Sequence, residues 1–393
     1  MHVVNNERPF TLFLAHYGVV RRFLHGVYQY VRENTKMRKI LLAFLIVSAA
    51  APAAISAAAQ KTTYPVVFAH GMAGFDDILG YSYWGDDYGV FVGDPCDEFL
   101  EVTCNGNINS GQKAYQTATY AFQSSEVRGL DIANQIESYM TSQGVSYINL
   151  VGHSQGGMDI RKAAKVLYQR KGRQVVKVLI SISSPHRGSP VAKYILDLGP
   201  GVSSVVSALA TIYGNSIYRS GNDAYAGAKQ LVYNDYSTTD GLSTGAKLFN
   251  TNNPVSASYA AYYGSFVTAQ TGLSVNPALF LLRNGFFNID GNGYCVDDCD
   301  NDGAAGKGNG TKTDWDDDGL VGINSQQMGY RLKHNSCTLC LDYITQDANT
   351  GYVGNLNAPT STQMTSTSSV IDQDHLDVVG VPPDTFDEKK GVE

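Results

Sequence analysis

The chain has 393 residues, 43% of them hydrophobic and 17% charged, a globular balance with enough apolar surface for a sizeable core and too much for a disordered chain. Its net charge is −7, and residues 1–59 carry seven Lys/Arg against two Asp/Glu, a net +5 that leaves −12 on the remainder. A body this acidic argues against nucleic acid as the partner.

The first element in chain order is a targeting segment. Met37-Arg38-Lys39 is a charged start, Ile40 to Val47 a short apolar run, and Ala57-Ala58-Ala59 an A-x-A cleavage signal. Residues 37–59 therefore read as a signal peptide, residues 1–36 as an upstream mis-start, and residues 60–393 as a single exported domain with no stable membrane anchor after cleavage. The apolar run is too short to favour a membrane span. Export makes disulfides the expectation for the six cysteines, with Cys96–Cys104 the foremost pair. Cys295, Cys299, Cys337 and Cys340 also admit cross-pairing or a Cys₄ zinc site.

Tyr64 to Ala69 is a β-branched apolar strand running directly into His70-Gly71-Met72-Ala73-Gly74. A short strand is expected at Tyr120-Ala121-Phe122, then a helix whose apolar residues Leu130, Ile132, Ala133, Ile136 and Met140 recur at helical spacing. The stretch from Tyr147 to Val151 is the next strand. It meets Gly152-His153-Ser154-Gln155-Gly156, and a helix from Met158 to Lys171-Gly172 follows. Strand, G-x-S-x-G turn and helix make a nucleophile elbow, in which the turn is strained and the flanking glycines let it close. Val175 to Ile182 is a further buried strand, closed by Ser184-Pro185-His186-Arg187-Gly188-Ser189. Alternating strands and helices imply a parallel sheet with right-handed crossovers. His70 and His186 read as loop-anchoring histidines rather than bases.

From Gly201 to Tyr218, Val202, Val205, Val206, Leu209 and Ile212 mark an amphipathic helix, which serves equally as an ordinary cover for the core or as a lid. Tyr259 to Phe266 is a late strand. Residues 290–318 turn Asp-, Asn- and Gly-rich, with two D-x-D-x-D-G runs starting at Asp298, Asp300, Asp302 and at Asp314, Asp316, Asp318. Alternate carboxylates before a tight turn suit Ca²⁺, but Asn309 and Ser325 stand where an EF-hand has its Glu.

A serine hydroxyl needs a histidine to take its proton and a carboxylate to orient that histidine, with the acid and then the base following the elbow in the chain. His375, near the C-terminal end, is the expected base; His334, in what reads as a polar surface turn, is the runner-up. Asp318, heading Gly319-Leu320-Val321, suits the acid, and equally suits the fifth position of its calcium loop.

Ala69 to Gly80 with Tyr83-Trp84, Ser124 to Gly129, Asn149 to Gly157 and Ser184 to Ser189 together resemble the secreted family I bacterial triacylglycerol lipases of the Pseudomonas, Burkholderia and Proteus type. The likeness covers about residues 64–195 and returns at Asp318 to Gly322 and His375 to Asp377. It implies an α/β-hydrolase fold, a mostly parallel central sheet with helices on both faces and a helical lid at about residues 200–235. By the same resemblance Ser154 is the nucleophile, Asp318 the acid and His375 the base, Met72 and Gln155 are oxyanion donors, and Arg128 braces the oxyanion loop. The resemblance also implies a structural Ca²⁺ near the base, held in part by Asp377; Val381 and Asn276 replace its other ligands. The Asp-rich insertion, with Asp298, Asp300, Asp302, Asp314 and Asp316, is the alternative calcium site. No organic cofactor is expected.

The expected function is that of an exported carboxylic-ester hydrolase, a triacylglycerol lipase working through an acyl-enzyme on lipid at an oil–water interface, with a lipase-specific foldase as a partner that some relatives require. An esterase, polyester depolymerase or acyltransferase shares the chemistry. A non-catalytic calcium-binding surface protein is the rival from another class.

Overall fold

A parallel sheet buried on both faces needs near-continuous apolar strands, and this chain supplies them. In the computed structural model, Val66–Ala69 (β1) leads to a short hairpin of Asp77–Ile78 (β2) and Tyr81–Ser82 (β3), then to Ala114–Gln116 (β4). Ser125–Gln143 (α1), Ile148–His153 (β5), Gln155–Lys171 (α2) and Val176–Ile182 (β6) follow. After two short helices, Ala224–Gln230 (α3) and Ala246–Asn252 (α4), comes the long strand Ala260–Ala269 (β7). The two-residue strands Tyr294–Cys295 (β8) and Gly306–Lys307 (β9) pair with each other. The chain continues through Ile323–Gln326 (α5), Gly329–Asn335 (β10), Tyr343–Gln346 (β11), Tyr352–Val353 (β12), Ser361–Thr365 (α6) and Val370–Asp372 (β13). The described residues are 62–74, 77–78, 81–84, 112–189, 191–192, 196, 219–233, 245–270, 279, 294–295, 306–307, 317–335 and 343–379.

The main sheet runs β11-β10-β7-β6-β5-β1-β4, with β12 added to β10 and β13 to β7. Every pairing from β4 to β10 along this path is parallel, as is β7 with β13, and only β11 and β12 run antiparallel to β10. This is the mostly parallel sheet expected of an α/β hydrolase. Its core lies where α1 and α2 cover the central strands: Ile132 and Ile136 from α1, Ile160 and Leu167 from α2, and Val67, Ile148, Leu150, Val176 and Leu179 from the sheet are all buried in one cluster. Ile132 and Ile136 are four apart and Ile160 and Leu167 seven apart, each pair on one helical face, and Ile148 and Leu150 are two apart on one face of β5, which delivers them to one interface.

Three expectations need correcting. Tyr120 to Phe122 forms no strand; the edge position beside β1 is taken by β4, in register Val66 with Ala114. The carbonyls of Tyr120 and Ala121 instead accept from the Arg128 guanidinium, and the Phe122 N–H is taken by Asn222 Oδ1 at 2.7 Å, so side chains do the work of a ladder. His334 lies not in a surface turn but in β10, opposite Ile344 of β11. The helix after the elbow starts at Gln155, three residues before Met158. The late strand is present, and extends past Phe266 to Ala269.

Residues 1–61 lie outside the described residues, as do Cys96, Cys104, Asp298, Asp300, Asp302, Asp314, Asp316 and the helical stretch expected at 201–218. Among the described residues no helix is long and apolar enough to cross a membrane.

Candidate active site

Ser154 sits between the end of β5 and the first residue of α2, with φ 55° and ψ −131°, a left-handed conformation that a residue with a Cβ adopts only under strain. Its N–H donates to Ile182 O at 2.9 Å, tying the turn to β6. The neighbouring glycines are required by space. A Cβ on Gly152 would lie 2.5 Å from the Gly156 main chain, and one on Gly156 would collide with the Ala69 carbonyl of β1. Strand, turn and helix can close only because both side chains are absent.

His375 follows β13, and its own N–H donates to Asp318 O at 2.9 Å. Its ring bridges the other two groups: Nδ1 is 2.8 Å from Asp318 Oδ2 and Nε2 is 2.8 Å from Ser154 Oγ. With Nδ1–H donating to the carboxylate, Nε2 presents its lone pair to the serine hydroxyl. Asp318 is fully buried and its charge is met by donors on both oxygens. Oδ1 accepts from Leu320 N at 3.1 Å and Val321 N at 2.8 Å; Oδ2 accepts from His375, from Thr268 Oγ1 at 3.1 Å and from Gln326 Nε2 at 3.3 Å. Among the described residues, hydrogen-bond donors surround this carboxylate on both oxygens.

The loop after β1 crosses directly over the serine: a Cβ on Gly71 would stand 2.6 Å from Ser154 Cβ. Met72 follows at that point. Arg128, fully buried on α1, holds the loop from behind, donating through Nη2 to His70 O at 2.6 Å and Gly71 O at 3.1 Å. Its Nε pairs with Asp159 Oδ2 at 2.7 Å, both side chains wholly out of solvent. Burial pushes the Asp159 carboxyl up from its ordinary range, with Arg128 and Ser125 opposing the shift. Sequence reasoning passed over Asp159; the signal was an acid beside Met158 and Ile160 in a helix start otherwise bound for the core. Gln155, the first residue of α2, turns its side chain away to Gln123 O at 2.8 Å and Ser125 Oγ at 3.2 Å. Its N–H belongs to the first turn of α2, whose amides have no intrahelical acceptor and carry the positive end of the helix dipole. The loop at Met72 and the helix start at Gln155 thus flank the serine.

Three buried histidines near the site, His70, His153 and His186, are neutral packing groups. His70 is buried, with Nδ1 2.9 Å from Gly71 O, and burial together with Arg128 lowers its pKa to about 3. His186 pairs Nε2 with Ser181 Oγ at 3.0 Å and is pushed well below its usual value by burial and by Arg161. His153 is buried against the His375 ring, centroids 4.8 Å apart, with Nδ1 2.5 Å from the Tyr83 hydroxyl, and burial and the adjacent His375 hold it well below its usual value. Burial likewise pushes the Tyr83 phenol upward. Neither His153 nor Tyr83 had been given a role from sequence.

Of the stretch expected as a lid, residues 200–235, residues 219–233 are described. Arg219 donates to both Asp131 oxygens, at 2.7 and 3.0 Å, Gly227 of α3 packs on the Met72 side chain, and Leu231 and Val232 join a buried cluster with Met158, Leu196 and Phe249. Of the residues expected as calcium ligands, Asp318 and Asp377 are described; Asp377 is buried in a short 3₁₀ turn and its N–H donates to Asp374 Oδ1 at 2.9 Å. Among the described residues no group of three or more His, Cys, Asp or Glu is placed to hold a metal ion.

The sequence profile of the palmitoyl protein thioesterase family matches residues 65–263, just over half of the chain. The chain belongs to that family. The stretch shared with the palmitoyl protein thioesterase family holds the loop after β1, Arg128, the elbow and the first four residues of β7, and stops short of Asp318 and His375. Within the family frame the chain is also similar to triacylglycerol lipases: that of Burkholderia plantarii is 31% identical over 198 residues, covering 47% of this chain and 49% of the relative. That of Pseudarthrobacter phenanthrenivorans is 31% identical over 184 residues, covering 44% and 51%, and that of Pseudomonas fragi 24% identical over 305 residues, covering 72% and 95%. The chain thus spans about half the length of the first two. Among solved structures it is similar to a Bacillus licheniformis lipase in propeptide form, with a TM-score of 0.46 at 13% identity over 82% of this chain and 49% of the other.

Proposed function

We propose that the chain is a serine hydrolase of carboxylic esters, and specifically a triacylglycerol lipase. The observation that carries this reading is the unbroken line from Asp318 Oδ2 through the His375 ring to Ser154 Oγ, with 2.8 Å at each link. Such a line does one thing well. His375 Nε2 takes the Ser154 proton as Oγ attacks the ester carbonyl, and the resulting oxyanion is met by the N–H groups of Met72 and Gln155. Collapse of the intermediate expels the alcohol, which receives its proton from His375. Water, activated by the same ring, then releases the acid and restores the serine.

Lipid as substrate rests on the triacylglycerol lipases among the relatives. The family profile supports a second reading, a thioester substrate, because the same steps serve a thiol leaving group. Export through residues 37–59 and a structural Ca²⁺, on their sequence signals, a lid over residues 200–235, on its amphipathic pattern and the family resemblance, and a foldase of the kind some relatives require, on that resemblance alone, complete the proposal.

The test is a comparison of emulsified triolein, soluble p-nitrophenyl butyrate and palmitoyl-coenzyme A, with fluorophosphonate labelling of wild type and Ser154→Ala. Labelling lost in Ser154→Ala, with triolein the best substrate, is expected. Butyrate turned over as well as triolein leaves an esterase, and preference for the thioester makes the chain a thioesterase. An unlabelled wild type sinks the hydrolase altogether.

A further inference from the structure

The triad acid is not held by its own turn alone. Where β6 ends, Ile182 still pairs with Phe266 of β7, and the Ser183 N–H donates to Phe266 O at 3.1 Å. There the two strands part. Ser183 is left-handed, φ 50°, an uncommon conformation for a residue with a Cβ. It brings the Ser183 hydroxyl to 2.5 Å from Thr268 Oγ1, and Thr268 Oγ1 is in turn 3.1 Å from Asp318 Oδ2. Gln326 occupies the place a neighbouring strand would have taken, accepting from Thr268 N at 2.8 Å and donating to Thr268 O at 3.0 Å, so that Thr268 is clamped by main chain. All four side chains are buried.

We infer that Ser183 and Thr268 form a hydroxyl relay that positions the carboxylate of Asp318 toward His375, making both positioning residues of the triad; this rests on the hydrolase reading above. A hydroxyl has one proton, and three acceptors compete for that of Thr268: Asp318 Oδ2, Gln326 Oε1 at 3.3 Å and Ser183 Oγ. The ionised acceptor is nearer than the amide and binds more strongly, so the proton goes to Asp318 and Ser183 donates to Thr268. Each donor in the chain then points toward the acid. Without the Thr268 proton, Oδ2 keeps His375 and the long Gln326 contact, and the carboxylate is free to turn about the axis that Leu320 N and Val321 N leave open on Oδ1. A strained backbone at Ser183 is what such a device would require, since an ordinary strand residue there would send its side chain to one face of the sheet.

The test uses the full chain and three variants: Thr268→Val, which keeps the shape and removes the hydroxyl, Thr268→Ser, which restores it, and Ser183→Gly. For Thr268→Val, kcat on p-nitrophenyl butyrate is expected to fall about tenfold with KM unchanged, and Thr268→Ser to recover most of the loss. Ser183→Gly removes the second hydroxyl while relieving the backbone, so kcat falls while Tm holds or rises. The low-field proton resonance of His375 Nδ1–H is read in the same samples and is expected to shift in Thr268→Val and return in Thr268→Ser. Wild-type turnover in Thr268→Val, or a Thr268→Ser no better than Thr268→Val, overturns the relay. A wild type that neither turns over ester nor takes the fluorophosphonate overturns the hydrolase reading instead. In that case the resonance still decides: unmoved by Thr268→Val, it refutes the relay as well.

Discussion

Acid should unfold this protein through its buried histidines before it disturbs the ion pairs on the surface. His70, His153 and His186 are all buried, His70 with a pKa lowered to about 3 and the other two well below the ordinary 6.5. The folded protein keeps these rings neutral while the unfolded chain protonates them below 6.5, so the unfolded state takes up protons and stability falls as pH drops from 7 toward 3. Between pH 7.5 and 5.5 a ring held neutral in the fold loses about 1.4 kcal/mol, and three such rings about 4 kcal/mol, a large part of a typical domain's stability. Glu137 and Asp347, both held below the ordinary carboxyl range, would add their losses only at lower pH. Asp159 acts in the opposite sense, because a carboxyl pushed up in the fold takes its proton there first. Urea unfolding followed by tryptophan fluorescence at the two pH values measures the difference, and His70→Gln should reduce it by about 1.4 kcal/mol. A wild-type loss below about 1.4 kcal/mol, the share of one ring, would refute the reasoning, as would a His70→Gln difference equal to that of wild type.

Arg128→Met strands the buried Asp159 carboxylate and should cost about 3–5 kcal/mol in thermal unfolding; Arg128→Met with Asp159→Leu should regain more than half of that stability without regaining activity, since the His70 and Gly71 carbonyls stay unbraced. Gly156→Ala drives a Cβ into the Ala69 carbonyl, and should lower stability by about 1–3 kcal/mol and remove fluorophosphonate labelling of Ser154. Asp318→Asn should lower kcat by about 10³–10⁴, while Asp317→Asn, whose Oδ1 caps Gly319 N at 2.7 Å and does not meet the base, should stay near wild type. Equal losses at the two positions would argue against Asp318 as the acid.

Much of the site was legible because its constraints are local. Gly152-His153-Ser154-Gln155-Gly156 between an apolar strand and a helix can hardly be anything but a tight turn, and the contacts at Gly152 and Gly156 show why those positions have no side chain. Apolar spacing likewise located α1, α2 and the strands β1, β5, β6 and β7 to within a few residues. The expected strand at Tyr120 to Phe122 failed for a reason no spacing records: its carbonyls are consumed by Arg128, an interaction set by how α1 packs.

By itself, then, the sequence determined the alternation of elements, the strained turn at Ser154 and the loop that passes over it, since each follows from backbone strain, periodicity and the size of neighbouring residues. Only the tertiary structure decided the rest. It brought Asp318 and His375, expected from the sequence but 164 and 221 positions beyond Ser154, into one line in which the His375 ring meets both Asp318 and Ser154. It set Asp159 against Arg128, and Ser183 and Thr268 behind the acid. Hydrogen bonds across the sheet depend on which strand edges meet, and that is a property of the packed chain.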